Sequence, residues 1–432
     1  MNREMKDSGV EWIGEIPTDW KTKNLKSILA ERKETNNPVK TDFILSLTND
    51  RGVIPYTEKG DVGNKSKDDL TGYKLAQPND IVLNSMNVVI GSVGLSKYYG
   101  AVSPVYYMLY PRKKEDSVEY FNNIFQTKVF QNNLRGYGNG IMEIRMRIQM
   151  IKLNTVMLPY PSPQEQQKTA DYLEKKVSEI DNIINQTTLS IEEYKKYKQS
   201  LITETVTKGL NSDVEMKDSG VEYIGEIPKD WNVKRLRYLG TLQNGISKSS
   251  DYFGFGYPFV SYSDVSKNIE LPLNGSGLIN SNDTDRKNYS VKQGDVFFTR
   301  TSETIEEVGF ASTCLKTIEN AVFAGFVIRF RPSTSELNEN YSKYYFRSEL
   351  HRRFFVKEMN LVTRASLSQE LLKKLPVIIP SKDEQQQIAD YLDKKCFEID
   401  NIITQKEQLI TEIETYKKSL IYECVTGKRE VK

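Results

Sequence analysis

Two stretches of this 432-residue chain gather residue types able to hold a phosphate backbone. Residues 135–152, RGYGNGIMEIRMRIQMIK, carry Arg135, Arg145, Arg147 and Lys152 against one acid, Glu143, with Tyr137 and Asn139 among them. Residues 343–364 carry Lys343, Arg347, Arg352, Arg353, Lys357 and Arg364 against Glu349 and Glu358, with Tyr344, Tyr345, Phe354 and Phe355 interleaved. Clustered cations neutralise phosphates, and the glycines at 136, 138 and 140 let backbone approach one closely. A solvated helix face would carry the same charges, so each stretch alone leaves both readings open. A second set lies in two polar turns: Asn84 and Asn87 in NSMN (84–87), Arg300 and Ser302 in TRTSE (299–303). Asn and Arg pair with base edges in the major groove. They are also common in exposed turns, and taken one at a time these positions fit that plainer reading better.

Catalytic chemistry leaves less trace. The one histidine, His351, lies in the basic run SELHRRFF and reads as a surface residue. A single histidine excludes His-rich metal sites and argues against a Ser-His-Asp triad. The three cysteines, Cys314, Cys396 and Cys424, have no ligand spacing, which argues against a disulfide framework or a zinc site and suits a reducing cytoplasm. VTGKRE near the C-terminus lacks the first glycine and the hydroxyl residue of a P-loop, and GYGNG (136–140) has the wrong spacing for a dinucleotide fingerprint. LPYPSP (158–163) is not the Asn/Asp/Ser-Pro-Pro-aromatic tetrapeptide of amino-group DNA methyltransferases. No apolar run reaches the roughly 18 residues of a membrane span, and MNREMKDSGVEW has no apolar core of a signal peptide. The chain reads as a reader that leaves chemistry to others.

The elements that must position these residues are announced by repetition. Residues 5–26 and 216–237 are identical at 16 of 22 positions; residues 161–210 and 380–429 at 28 of 50. Between them lie two stretches that hardly match, 27–160 and 238–379. The order is a fixed frame carrying two different inserts, and the divergence of the inserts marks them as the recognising parts. Charge agrees: the inserts hold 17 basic against 13 acidic residues and 17 against 15, whereas 161–210 holds 7 against 8 and 380–430 holds 8 against 11.

The blocks starting at Pro161 and Pro380 are free of Pro and Gly beyond their first residues until Gly209 and Gly427. Apolar residues recur at heptad spacing, including Leu173, Ile180, Ile184 and Leu201 in the first and Leu392, Ile399, Ile403 and Leu420 in the second. This predicts two long helices, each with one stripe to bury. The simplest partner for each is the other copy, and because each insert feeds its own helix start in the same way, antiparallel pairing is expected. The seam is interrupted at Thr187 and Lys406, and a lysine sits late in each copy, Lys198 and Lys417. The short repeated blocks, with Trp12, Ile13, Ile16 and Trp20 matched by Tyr223, Ile224, Ile227 and Trp231, read as extended arms strapping an insert's core. The inserts share a skeleton of an Asp, a short apolar strand, a polar turn and a Val-Gly strand (79–96 and 294–312), then a strand ending in Pro, and so read as β-rich.

The arms SGVEWIGEIPTDW and SGVEYIGEIPKDW, with helices opening PSPQEQQKTADYL and PSKDEQQQIADYL, resemble the specificity subunits (HsdS) of type I restriction–modification systems, over essentially the whole chain. The residues carrying the likeness are Pro161, Glu165, Gln166, Gln167, Ala170, Tyr172 and Leu173, then Pro380, Glu384, Gln385, Gln386, Ala389, Tyr391 and Leu392. The resemblance implies an α+β chain with two globular, β-rich target recognition domains separated by a long antiparallel coiled coil of two conserved helices, related by a pseudo-two-fold. The segments would be an N-terminal arm (1–26), recognition domain 1 (27–160), a central helix (161–210), a linker and second arm (211–237), recognition domain 2 (238–379) and a C-terminal helix (380–432). Each domain would read one half of a bipartite, asymmetric site in double-stranded DNA. Two modification subunits would bring S-adenosylmethionine chemistry, and restriction subunits would bring ATP-driven translocation and cleavage with magnesium. This chain would hold no cofactor or metal and no active site. A coiled-coil adaptor with two protein-binding domains is the competing reading; the basic stretches before each helix count against it.

Overall fold

The computed structural model describes residues 3–49, 51–60, 66, 68–138, 147–302, 308–358 and 365–431. The chain divides into two units: residues 1–187 with 407–432, and residues 188–406. Each unit therefore owns one arm, one insert, the first part of one long helix and the last part of the other.

The central sheet has the same plan in both units. In the first, Leu29–Arg32, Tyr106–Pro111, Ile81–Asn84 and Val93–Leu95 lie side by side in that order, all antiparallel. In the second, Gly240–Asn244, Val327–Pro332, Val296–Thr299 and Ala311–Thr313 repeat the order and directions. Strand periodicity of two places alternate side chains on opposite faces. Ile81 and Leu83 join the larger core with the helices and arm, while Val82 joins a smaller one on the other face with Leu45, Val53 and Met108. In the second unit Val296 and Phe298 enter the larger core and Phe297 the smaller. An apolar run rather than an alternating one is what a strand covered on both faces requires.

The turn entering the middle strand is also shared. Asn79 (φ 67°) and Gly294 (φ 84°) take left-handed conformations, and the next residue, Asp80 or Asp295, is buried. Asp80 accepts from Gln77 N at 2.8 Å and from Arg32 Nε at 2.8 Å; Asp295 accepts from Lys292 N at 2.8 Å and from Arg331 Nε at 2.7 Å. The arginine comes from the first strand of the sheet in one unit and from the second in the other. A buried carboxylate needs such a partner, and either neighbouring strand can supply it.

Each arm is a short hairpin, Met5–Asp7 with Glu15–Pro17 and Met216–Asp218 with Glu226–Pro228. The strand that follows pairs with the end of the insert: Lys21–Asn24 with Met157–Tyr160, and Asn232–Arg235 with Pro376–Ile379. Trp20 and Trp231 are buried, and their indole N–H groups donate to Glu165 (2.7 Å) and Glu384 (3.2 Å), the glutamates of the two helix starts.

The long helices span Pro163–Lys208 and Lys382–Val425. Ser162 and Ser381 cap them, each accepting at 3.3 Å from the N–H of the glutamate three residues on. Buried Gln166 accepts from Ser117 N (3.0 Å) and donates to Pro161 O (3.1 Å); buried Gln385 accepts from Asn338 N (2.8 Å) and donates to Pro380 O (3.0 Å). The middle glutamine of each Glu-Gln-Gln run thus ties a helix start to the insert behind it. At the other end Val425 O accepts from Tyr120 Oη (2.7 Å) in the first unit and Val206 O from Tyr341 Oη (3.4 Å) in the second. Within each unit the two helix segments run antiparallel. Lys417 meets Asp181 at 2.6 Å and Leu420 shares a core with Leu173 and Ile180 in the first; Lys198 meets Asp400 at 2.6 Å in the second. Each late lysine of the seam therefore pairs with an aspartate of the other helix, Lys417 with Asp181 and Lys198 with Asp400.

Leu173, Ile180, Leu392, Ile399, Ile403 and Leu420 are buried, whereas Ile184 and Leu201 are half-buried. Ile202 is the deeper neighbour of Leu201, because this last turn faces the core of the insert as well as the partner helix. Among the described residues no helix is long and apolar enough to cross a membrane.

Candidate nucleic-acid interface

At the far end of each middle strand the chain builds a polar rim. In the first unit Asn84 ends the strand and its Oδ1 accepts from Met86 N at 3.0 Å. Asn87 N–H donates to Asn84 O at 3.1 Å and Asn87 O accepts from Ile90 N at 3.0 Å, making a tight polar turn. Ser85 between them points inward, donating to Val105 O at 2.7 Å. Ile148 N donates to Ser85 O at 2.9 Å, which brings the exposed Arg147 to the same rim. Arg135 and Tyr137 lie in the turn after the helix Lys128–Leu134, which packs against Val88–Ile90; Arg135 is exposed and Tyr137 half-buried. Asn139 and Arg145 lie outside the described residues.

The second unit repeats the backbone and changes the side chains. Leu367 N donates to Arg300 O at 2.7 Å, the counterpart of the Ile148–Ser85 bond. Where Ser85 turns inward, Arg300 keeps a half-exposed side chain, and its N–H donates to the carbonyl of Phe326, itself 65% exposed. Thr301–Ser302 pairs with Ala365–Ser366; Ser302 is described through its backbone. Gln369 donates to Asn244 Oδ1 at 3.0 Å on the same rim. Arg364 lies outside the described residues.

The basic stretch 343–364 divides by burial. Arg353 is exposed, and the Arg352 guanidinium lies 4.6 Å from the Phe310 ring centroid. Lys343 is buried and pairs with Asp393 of the long helix at 2.7 Å. Arg347 donates to the carbonyls of Val265, Ala311 and Ser266, and burial lowers its pKa. Those two charges hold the unit together. His351 is also a correction: it is 3% exposed, against Tyr345 and Phe346, and burial pushes its pKa down to about 3. The helix Glu349–Glu358 turns His351 inward together with Leu350, Phe354 and Phe355, which composition does not reveal. The three cysteines are free and buried, and burial pushes Cys314 and Cys424 up to about 12. Among the described residues no group of three or more His, Cys, Asp or Glu is placed to hold a metal ion.

Comparison with known proteins bears on what these rims belong to. The family model for the type I restriction modification DNA specificity domain matches twice, at residues 17–193 and 228–415. The chain belongs to this specificity family. Each match covers one recognition domain and most of the helix that follows it. The chain is 25% identical to the MjaX protein of Methanocaldococcus jannaschii over 97% of its own length and 96% of the relative's. It is 24% identical to the type I restriction enzyme MjaVIII specificity subunit of that organism, over 96% and 94%. In fold it is similar to a chain from a structural study of type I R-M complex assembly (TM-score 0.73, 12% identity, 96% of this chain and 99% of that one). It is similar also to the HsdS subunit of Thermoanaerobacter tengcongensis (TM-score 0.55, 13% identity, 96% and 98%). Family membership favours the DNA-specificity reading over the adaptor. The rims are where the two recognition domains present different side chains.

Proposed function

We propose that this chain is the non-catalytic, sequence-reading subunit of a type I restriction–modification complex, each recognition domain reading one half of a bipartite, asymmetric DNA target. The observation that carries the reading is the pair of rims. The same strand ends and the same returning backbone bond present Asn84, Asn87 and Arg147 in one domain and Arg300 in the other. A good bidentate contact discriminates by about 1–3 kcal/mol, so several per half-site are needed. The paired helices set the spacing of the half-sites and dock two modification subunits, and restriction subunits join that assembly. S-adenosylmethionine, ATP and magnesium act on those partners, in the cytoplasm. With a net charge of only +2, the chain binds DNA weakly and salt-sensitively alone and tightly in the complex.

The test is an exchange of residues 27–157 for the corresponding segment of another family member, read by sequencing methylated DNA from cells that also express the modification subunit. One half of the methylated sequence should change. A change in both halves, or in neither, sinks the reading.

A further inference from the structure

At the rim of the second unit two amides meet. Gln369 Nε2 donates to Asn244 Oδ1 at 3.0 Å, and both residues are half-buried. A closed run of hydrogen bonds joins them to Arg300. Gly245 N donates to Val327 O at 3.2 Å, Arg300 N to Phe326 O at 2.9 Å and Leu367 N to Arg300 O at 2.7 Å. The bond between the amides closes the circuit through 244–245, 326–327, 300 and 367–369. Among the described residues neither amide side chain makes another hydrogen bond, and no carboxylate lies within ion-pair distance of the half-exposed Arg300. The helix Gln369–Lys374 is fixed without the pair, by Leu372 in the core and by Ser368 Oγ accepting from Leu371 N at 3.1 Å.

The first unit has the same backbone and different side chains at these places. Ser85 N donates to Val105 O at 3.4 Å and Ile148 N to Ser85 O at 2.9 Å, the counterparts of the two Arg300 bonds. Met150, two residues after Ile148, stands where Gln369 does. Lys33 stands where Asn244 does. Leu109 and Phe330 face the first residue of each middle strand, Glu31 and Leu242 oppose them, and Lys33 and Asn244 lie two positions further on. Lysine only donates and methionine is a weak acceptor, so neither presents a donor and an acceptor side by side.

A primary amide carries one oxygen and two N–H groups. Gln369 spends one N–H on Asn244 and keeps its oxygen and the other N–H. In the major groove adenine offers the matching set, an N6 donor beside an N7 acceptor. Guanine shows two acceptors there and cytosine one donor, so adenine alone satisfies both groups. We propose that Gln369 reads an adenine in the half-site of the second recognition domain, with Asn244 as the positioning residue that holds its amide. The proposal deepens the reading of this domain as a DNA reader and rests on it. The bond to Asn244 removes side-chain freedom before DNA arrives, which lowers the entropic cost of the contact. Arg300, with no carboxylate to neutralise it, brings positive charge to the same rim.

The test uses the full chain with its modification subunits. Sequencing methylated DNA from cells gives the parent's target, and the half that exchange of residues 27–157 leaves unchanged belongs to the second domain. Affinity of the purified complex is then measured on duplexes carrying every base pair in turn at each position of that half. Gln369→Ala should lower affinity for the target by about tenfold and abolish the preference for adenine at one position only. Gln369→Glu, which accepts but does not donate, should move that position from adenine to cytosine. Asn244→Leu should relax the same position, and Asn244→Asp, which still accepts from Gln369, should restore adenine there. Either Gln369 variant keeping the parent's preference at every position overturns the proposal. A uniform loss over all duplexes marks a pair that only braces the fold and overturns it too, as does a half-site without an A·T pair. A parent complex that prefers no sequence sinks the DNA reading itself, a separate failure.

Discussion

The two recognition units agree at the residues that tie arm, insert and helix together and differ at the rim. Trp20 and Trp231, Gln166 and Gln385, and Tyr120 and Tyr341 make the same contacts in the same places. At the rim the backbone bond from Ile148 to Ser85 recurs from Leu367 to Arg300, yet one side chain is buried and the other half-exposed. The second unit also carries the Asn244–Gln369 amide pair and a buried histidine. The lesson is a division of labour. Residues that satisfy buried donors and acceptors cannot change without cost, whereas a rim residue is free to follow its target.

The strongest way to break this comparison is through the tryptophans. Trp20→Ala and Trp231→Ala should each cost about 3–5 kcal/mol, and hydrogen exchange should rise in 3–187 and 407–431 for the first and in 188–406 for the second. Equal rises in both units for either variant would deny that each arm serves one unit. Next come the glutamines. Gln166→Leu leaves the buried Ser117 N–H, and Gln385→Leu the part-buried Asn338 N–H, without its acceptor, so each should cost about 1–3 kcal/mol in urea unfolding. Matching losses would sharpen the equivalence, and a loss in one variant only would break it.

A pH effect should separate the units. Burial, helped by Arg352, holds His351 at about 3, below its unfolded value of 6.5. The folded unit keeps the ring neutral while the unfolded chain takes up a proton, so this contribution is whole above pH 6.5 and is lost as pH falls toward 3. Acid should therefore weaken residues 188–406, and His351→Phe should remove that part of the sensitivity; the first unit, which has no histidine, should not respond to the change. A pH profile that His351→Phe leaves unaltered would falsify this. The smallest effect belongs to the ion pairs. Lys198→Asp should cost under about 1 kcal/mol, and adding Asp400→Lys should recover it. Failure of the double variant to recover would mean that the pair does not act across the helices.

Much of this was legible from repetition and period. Repetition and period alone specify the paired frame, the two long helices and the strand–turn–strand skeleton at 79–96 and 294–312, because these follow from the local spacing of apolar and polar residues. Antiparallel pairing was argued from connectivity, and the Lys198–Asp400 and Asp181–Lys417 pairs express it. Which charges are available follows instead from packing. Lys343 and Arg347 look like Arg353 in a basic run, yet they meet a carboxylate and three carbonyls while Arg353 meets water. Packing likewise buries His351, sets Ile202 deeper than Leu201 and joins Gln369 to Asn244. The physical reason is that burial and pairing depend on partners far away in the chain, such as Asp393 for Lys343, and no local pattern encodes them.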